Sequence, residues 1–330
     1  MFKKNKEKKN KDVEVIQSPG RMFIDRFRKN KLAIVGLIMF VIIILLVFGG
    51  WLYVELTNYN LANLDHSRAF QPPSWEAPFG TDRSGRNTFI RVLLGGVISL
   101  QAGLITVVTV IVLGVTVGGI SGFNGGTWID ELLMRIVEII LAIPFLPLAI
   151  SIQMVLIHLP QTQRLHIMMV IIGVLGIPTL ARLVRGQILQ LKEQEFMVAA
   201  RAVGIRPVQQ IVRHLLPNII GFIVIQATIS FAGAIMTEAT LSFLGLSVSE
   251  PIPTWGGLVS RGTVTSIIMR QFWWMWLFPA ILLFLLIMSV NLVGEGLRDA
   301  VDPKARIKFR VQKDKKKPLF KTKKKEGAVV

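Results

Sequence analysis

Residues 195–204 give the clearest indication of a function in this sequence. Their types and spacing favour noncovalent binding to another protein. Apolar or small side chains recur there and just before it at the spacing of one helical face. They are Ile188, Leu191, Phe196, Ala199, Ala200 and Val203. Small side chains at Ala199 and Ala200 let another backbone approach closely. The pattern predicts a helix that inserts into a groove on another protein.

Glycine and proline define the ends of this helix. Gly204 suits the left-handed residue that ends a helix, and Pro207 suits the first turn of a second, short helix, where its missing N–H is not needed. The sequence therefore predicts a short helix, a sharp turn and another short helix. An amphipathic helix lying in the lipid headgroup layer is the alternative that this spacing leaves open.

The same segment resembles the cytoplasmic loop of ABC-importer permease subunits, in which EAA, three residues, Gly and nine residues precede Ile-x-Leu-Pro. Val198 stands where the family has Glu, and His214 stands where it has Ile. The resemblance implies that a loop at about 186–217 couples this chain to an ATPase. The residues expected at this contact are Glu195, Ala199, Ala200, Arg201, Gly204, Leu216 and Pro217.

The elements that must position this loop are membrane spans. The chain has 330 residues, of which 52% are hydrophobic, and a mean hydropathy of +0.56. Six apolar stretches are long enough to cross a hydrocarbon core of about 30 Å. They are residues 32–54, 92–120, 139–157, 167–184, 219–236 and 272–294. The fourth is the weakest because it is short and carries Arg182, and Pro144 is expected to break the third.

The net charge of +18 raises the possibility of nucleic-acid binding, but the distribution of the charges favours a membrane orientation. With the N-terminus inside, 31 of the 38 lysines and arginines fall on the inner side and seven on the outer side. This asymmetry predicts that both termini are cytoplasmic. We therefore divide the chain into a loose basic arm at 1–31, a six-span permease domain at 32–300 and a basic tail at 301–330. The tails are expected to be solvated or drawn to anionic lipid.

Four further segments resemble the C-type permeases of oligopeptide and dipeptide importers and occur in that family's order. They are FGTDRSGR at 79–86, TEATLSFLG at 237–245, PIPTWG at 251–256 and NLVGEGLRDAVDP at 291–303. The resemblance implies an all-α membrane protein with the type I ABC importer permease fold. It also implies a bacterial cell membrane and, as partners, a related B-type permease, two ABC ATPases and an extracellular substrate-binding lipoprotein. ATP and Mg would be bound by the ATPases, so no cofactor is expected in this chain.

Several polar residues are candidates for the translocation path or for local structure. Gln153, Gln226 and Ser230 are candidates for the path. Glu238, at the edge of the fifth span, is either an interfacial residue or the partner of an outside arginine near a gate. Thr81 or Asp82 is expected to cap the second span helix. Glu131, Arg135 and Glu138 are spaced to pair along one helix face.

Enzyme chemistry finds no support in the sequence. There is no Gly-x-x-x-x-Gly-Lys-Ser/Thr phosphate loop, no Gly-x-Ser-x-Gly elbow and no cysteine. His66, His158, His166 and His214 show no metal-ligand spacing, so neither a catalytic nor a metal site is predicted. Three alternatives to peptide import remain. They are an importer of nickel or a metal chelate, a stand-alone channel or ion-coupled carrier, and a membrane-embedded enzyme.

Overall fold

The computed structural model of the chain describes residues 19–59, 64–246 and 252–301. The described residues form helices joined by turns and, before Thr88, by one longer segment with a single 3-10 turn, without a β-sheet. The helices are α1 (Pro19–Lys29), α2 (Lys31–Thr57), α3 (Thr88–Phe123), α4 (Trp128–Ala142), α5 (Phe145–Val155), α6 (Gln161–Lys192), α7 (Glu195–Ala202), α8 (Pro207–Gln209), α9 (Leu216–Phe243), α10 (Trp255–Gly262), α11 (Ser266–Gln271) and α12 (Trp274–Val301). A π-helical turn, Gln210–Leu215, joins α8 to α9.

Five described helical segments are long and apolar enough to cross a membrane, and a bent pair supplies the sixth. The five are α2, α3, α6, the continuous stretch Pro207–Phe243 and α12. In the bent pair, α4 and the segment from Phe145 to His158 meet at 84° beside Pro144. The count agrees with the six predicted spans when the bent pair is taken as one span. The third predicted stretch, 139–157, covers only the last turn of α4 together with α5. The fourth is not short, because α6 runs for 32 residues.

Helices α3 and α6 pack closely along their length because small residues face each other. A Cβ atom added at Gly118 would lie 2.4 Å from the carbonyl oxygen of Ala181, and one added at Gly173 would lie 2.6 Å from the Thr109 Cβ. These positions admit only glycine without a shift of the backbone. The close approach makes α3 and α6 the central pair of the bundle, against which α9 and α4 also pack.

The basic arm expected at 1–31 is not loose throughout, because its last part forms α1. Arg26 Nη1 donates a hydrogen bond to the Ala300 carbonyl oxygen at 3.3 Å, which ties α1 to the end of α12. Asn30 caps α2 and donates its amide to Asp299 Oδ2 at 3.0 Å. Residues 1–18, 60–63, 247–251 and 302–330, which hold most of the two predicted tails and Pro251, lie outside the described residues.

The start of α3 is capped by a different residue from the one predicted. The side chain of Asn87 accepts the Phe89 N–H at 2.9 Å. Asp82 instead accepts Arg86 Nε at 3.0 Å and Arg91 Nη1 at 2.7 Å, in a region that is nearly closed to solvent. The charges of the 79–91 segment therefore fold it against the start of α3, and Asp82 is not a cap.

Candidate functional site

Helix α7 is fixed to the bundle by one apolar stripe. Met197 is fully buried and packs in one cluster with Ile188 near the end of α6, with Leu215 at the end of the π-helical turn and with Ile219 at the start of α9. Ala200, one turn further along α7, is also buried. This seat holds α7 against the ends of two long helices, so a force on α7 reaches both.

The turn after α7 has the geometry that its glycine and proline predict. Gly204 has φ +78°, its N–H bonds to the Arg201 carbonyl at 3.0 Å, and the Ile205 N–H bonds to the Ala200 carbonyl at 3.1 Å. These two bonds form a Schellman motif, which needs a left-handed residue at this place. Pro207 opens the next helix. Both local predictions are confirmed.

The helix after this turn is not short. It passes through the π-helical turn into α9, so that Pro207–Phe243 is one 37-residue helical stretch. Pro217, the second residue of α9, has no N–H to donate to the preceding π turn. The loop is therefore continuous with a membrane span, which the expectation of a second short helix missed.

The outer face of the loop is exposed and carries apolar side chains among charged ones such as Glu195 and Arg201. Val198 is 52% exposed, Val203 82% and Val208 70%. The prediction of one apolar face from residue 188 to residue 203 is wrong, since α6 ends at Lys192 and Phe196 and Val203 lie away from the buried stripe. The stripe that seats α7 is Met197 and Ala200, whose i, i+3 spacing is visible in the sequence. Ala200 faces the bundle.

The predicted coupling residues therefore fall into two groups. Ala200 and Leu216 pack inward, against the cluster that holds Met197. The exposed ones are Glu195, Ala199, Arg201, Gly204 and Pro217. Arg201 also donates Nη2 to the Lys192 carbonyl at 3.2 Å, which ties the end of α7 to the end of α6. The contact with an ATPase itself stays a prediction for all seven.

Two of the predicted path residues share a cavity. Gln226 and Ser230 lie on the α9 wall of an open cavity of about 280 Å³. The residues that line it are Thr106, Val110, Phe145, Ile172, Leu175, Gly176, Thr179, Gln226, Ser230, Gly233, Ala234 and Thr237. Its described lining has hydroxyl and amide groups and carries no charged side chain. Their role in a path stays a prediction.

The other two predicted residues lie elsewhere. Gln153 lines a separate crevice with Arg164 and Met168. Glu238 is fully buried and accepts hydrogen bonds from Ser99 Oγ at 3.1 Å and Ser242 Oγ at 2.6 Å. Both interpretations of Glu238 are wrong for the described residues. Its burial excludes an interfacial position, and its described partners are hydroxyl groups and not an arginine.

The buried Glu238 holds α10 in place. Ser99 Oγ, which donates to Glu238, also accepts the Trp255 backbone N–H at 3.2 Å. The Trp255 indole N–H bonds to the Val92 carbonyl at 2.7 Å. The start of α10 is thereby joined to α3 and α9. The i, i+4 spacing of Glu238 and Ser242 was the one local signal for this network.

Sequence reasoning missed an ion pair between α4 and α6. Asp130, which is buried, accepts Arg185 Nε and Nη2, each at 2.7 Å. On α4 itself, Arg135 pairs with Glu138 at 3.3 Å and not with Glu131 in the part of the chain that the structure describes. Asp130 and Arg185 are 55 residues apart, so no helical spacing relates them.

Two family models match the chain. One, described as "binding-protein-dependent transport system inner membrane component", matches residues 111–307. The other, described as "N-terminal TM domain of oligopeptide transport permease C", matches residues 18–73. The first covers more than half of the chain and includes the loop, the α4–α6 ion pair and most of the residues that line the cavity.

The curated proteins similar to this chain are named as peptide permeases, and the similarity extends over nearly their whole length. The dipeptide transport system permease protein DppC of Alkalihalophilus pseudofirmus is 39% identical over 87% of this chain and 90% of its own length. The oligopeptide transport system permease protein OppC of Bacillus subtilis is 38% identical over 85% and 88%. OppC of Haemophilus influenzae is 36% identical over 89% and 93%.

Proposed function

This chain belongs to the family of inner-membrane components of binding-protein-dependent transport systems, and we propose that it is the C-type permease subunit of an ATP-driven importer of dipeptides or oligopeptides. The similar proteins are named as dipeptide and oligopeptide permeases, which favours peptides over nickel or a metal chelate. A binding-protein-dependent family also disfavours a stand-alone channel or carrier.

The exposed apolar side chains on the outer face of the 195–208 loop are the observation that carries this proposal. Val203 and Val208 are exposed beyond the end of α7, whose Met197 is seated in the bundle. Burial of one valine side chain against a partner contributes about 1.5–3 kcal/mol. An ATPase groove that covers this face moves α7, and α7 moves the ends of α6 and α9.

The cavity beside Gln226 and Ser230 is half of the translocation path. It is open on one side, and a related B-type permease supplies the facing wall. Because its described lining is uncharged, a peptide meets no charge there that selects among acidic, basic and neutral side chains. Rocking of the two permeases then changes which side of the membrane reaches the path.

The remaining components follow from what the chain lacks. Two ABC ATPases bind ATP and Mg, since this sequence has no phosphate loop. An extracellular substrate-binding lipoprotein delivers the peptide. The chain lies in a bacterial cell membrane with both termini in the cytoplasm, its basic tails close to anionic lipid and not bound to nucleic acid.

Gentle solubilisation of the tagged protein from its own host tests this assignment. We expect two ATPases, a sister permease and a lipoprotein to co-purify, and the reconstituted complex to move labelled peptides into vesicles at the expense of ATP. A homo-oligomer without an ATPase would contradict the proposal, and transport of a nickel chelate but not of peptides would contradict its substrate.

A further inference from the structure

We propose that Asp130 is a positioning residue for coupling. Through Arg185 it ties α4 to the stem of the 195–208 loop, which is the end of α6 from Arg185 to Lys192. Movement of α7 is thereby transmitted to the break between α4 and α5. The inference rests on the proposed function. It concerns a contact between α4 and α6, away from the face that an ATPase would cover.

One carboxylate joins four parts of the chain. Arg185, on α6, donates to both oxygens of Asp130 at 2.7 Å. Ser121, near the end of α3, donates to Oδ1, and the Gly126 N–H donates to Oδ2 at 3.1 Å. A two-pronged guanidinium–carboxylate contact fixes direction as well as distance. Asp130 therefore orients the first turn of α4 relative to both α3 and α6.

The stem of the loop, from Arg185 to Lys192 on α6, is held rigidly against the end of α3. Lys192 Nζ donates to the Phe123 carbonyl at 2.8 Å and lies 5.6 Å from the centre of the Phe123 ring. A Cβ atom added at Gly122 would lie 2.9 Å from the Arg185 carbonyl oxygen, so α3 and α6 are nearly in backbone contact there. The ends of α3 and α6 and helix α7 therefore move as one unit.

Helix α4 is held to this unit at two places and ends at the cavity. Val137 packs against Ile177 and Ala181 of α6, and the Asp130–Arg185 ion pair lies about two turns earlier. The chain then bends by 84° between α4 and α5. Phe145, the first residue of α5, lines the cavity that contains Gln226. A shift of α6 therefore carries α4 with it through both contacts and moves Phe145.

Asp130→Asn in the complete reconstituted importer tests this role, because asparagine keeps the shape of the side chain and removes its charge, and its one carbonyl oxygen can still accept from Ser121 or from Gly126. Glu131→Gln is the matched control, since it removes a charge from the exposed neighbour. We expect the Asp130 variant to assemble and to keep peptide-stimulated ATP hydrolysis within about twofold. ATP consumed per peptide transported should rise by about tenfold, a change within the usual range of coupling between sites.

An unchanged ratio of ATP to peptide in assembled Asp130→Asn would overturn the inference, as would an equal fall of both activities, which marks a merely structural residue. If this variant does not assemble, Arg185→Lys is the second test, because lysine keeps the charge but loses the two-pronged contact. We expect it to raise the ratio of ATP to peptide by less than about tenfold. A normal ratio in Arg185→Lys would overturn the inference. A wild-type complex that hydrolyses ATP without moving peptides would instead overturn the proposed function, and this inference with it.

Discussion

At the level of single residues, a step of one position on α7 changes the environment from core to surface. Met197 is fully buried, whereas its neighbour Val198 is 52% exposed. The valine that replaces the family's glutamate is therefore not part of the seat of α7. At Gly204 the constraint is the backbone conformation. Its φ is +78°, and a Cβ atom added there would meet nothing within 4 Å.

Gly204→Val tests the turn. A β-branched residue at this φ costs about 1–2 kcal/mol or more, although a Cβ atom would meet nothing within 4 Å. We expect the variant to reach the membrane but to lose substrate-stimulated ATP hydrolysis. Gly186→Val is the control, because that glycine has equal space without a positive φ. Normal coupling in Gly204→Val would show that the left-handed turn is unnecessary.

Val198→Glu tests the outer face of α7. The site is exposed, and surface substitutions usually change stability by less than about 0.5 kcal/mol. We expect normal amounts of assembled complex on size-exclusion chromatography. Met197→Glu should reduce assembly sharply, because it places a charge in the seat of α7. Loss of assembly in Val198→Glu would instead mean that the partner surface covering Val198 is apolar and closely packed.

At the level of elements, the bundle combines a rigid pair with a broken helix. Helices α3 and α6 are locked by glycine contacts and by the Lys192–Phe123 contacts, whereas α4 and α5 change direction by 84°. Glu238 adds a second fixed point by joining α10 to α3 and α9 through Ser99. The cavity is lined by the rigid pair, by α9 and by Phe145 at the break.

Gly233→Ile tests whether this cavity is the path. Gly233 lines the cavity, and a Cβ atom there would meet nothing within 4 Å. The new side chain should therefore narrow the path without disturbing the fold. We expect peptide uptake to fall severalfold while the complex still assembles. Gly49→Ile, on α2, places the same side chain in equal space outside the cavity and should leave uptake unchanged. Equal uptake by both variants would place the path elsewhere.

At the level of the whole molecule, the two ends of the bundle differ in charge and in structure. One end carries the 195–208 loop, and the other carries the folded segment 64–87 with α10 and α11. Because 31 of the 38 lysines and arginines belong to the loop side on the predicted topology, that side should face the cytoplasm.

Cysteine labelling tests this orientation, and the absence of native cysteine makes each introduced thiol the only one. Val203→Cys and Trp75→Cys place it at exposed positions at opposite ends. With a membrane-impermeant maleimide on spheroplasts, we expect Trp75→Cys to react at once and Val203→Cys to react only after permeabilisation. The reverse order would contradict the proposed topology.

The sequence by itself determined the spans, the predicted orientation, the left-handed turn at Gly204 and the helix start at Pro207. Those features depend on apolar length, charge asymmetry and backbone chemistry, which are local. Only the tertiary structure decided that Met197 seats α7, that hydroxyls surround Glu238 and that Asp130 pairs with Arg185. Ser99 and Glu238 are 139 residues apart, and contacts at such separations depend on helix packing, which no spacing along the chain encodes.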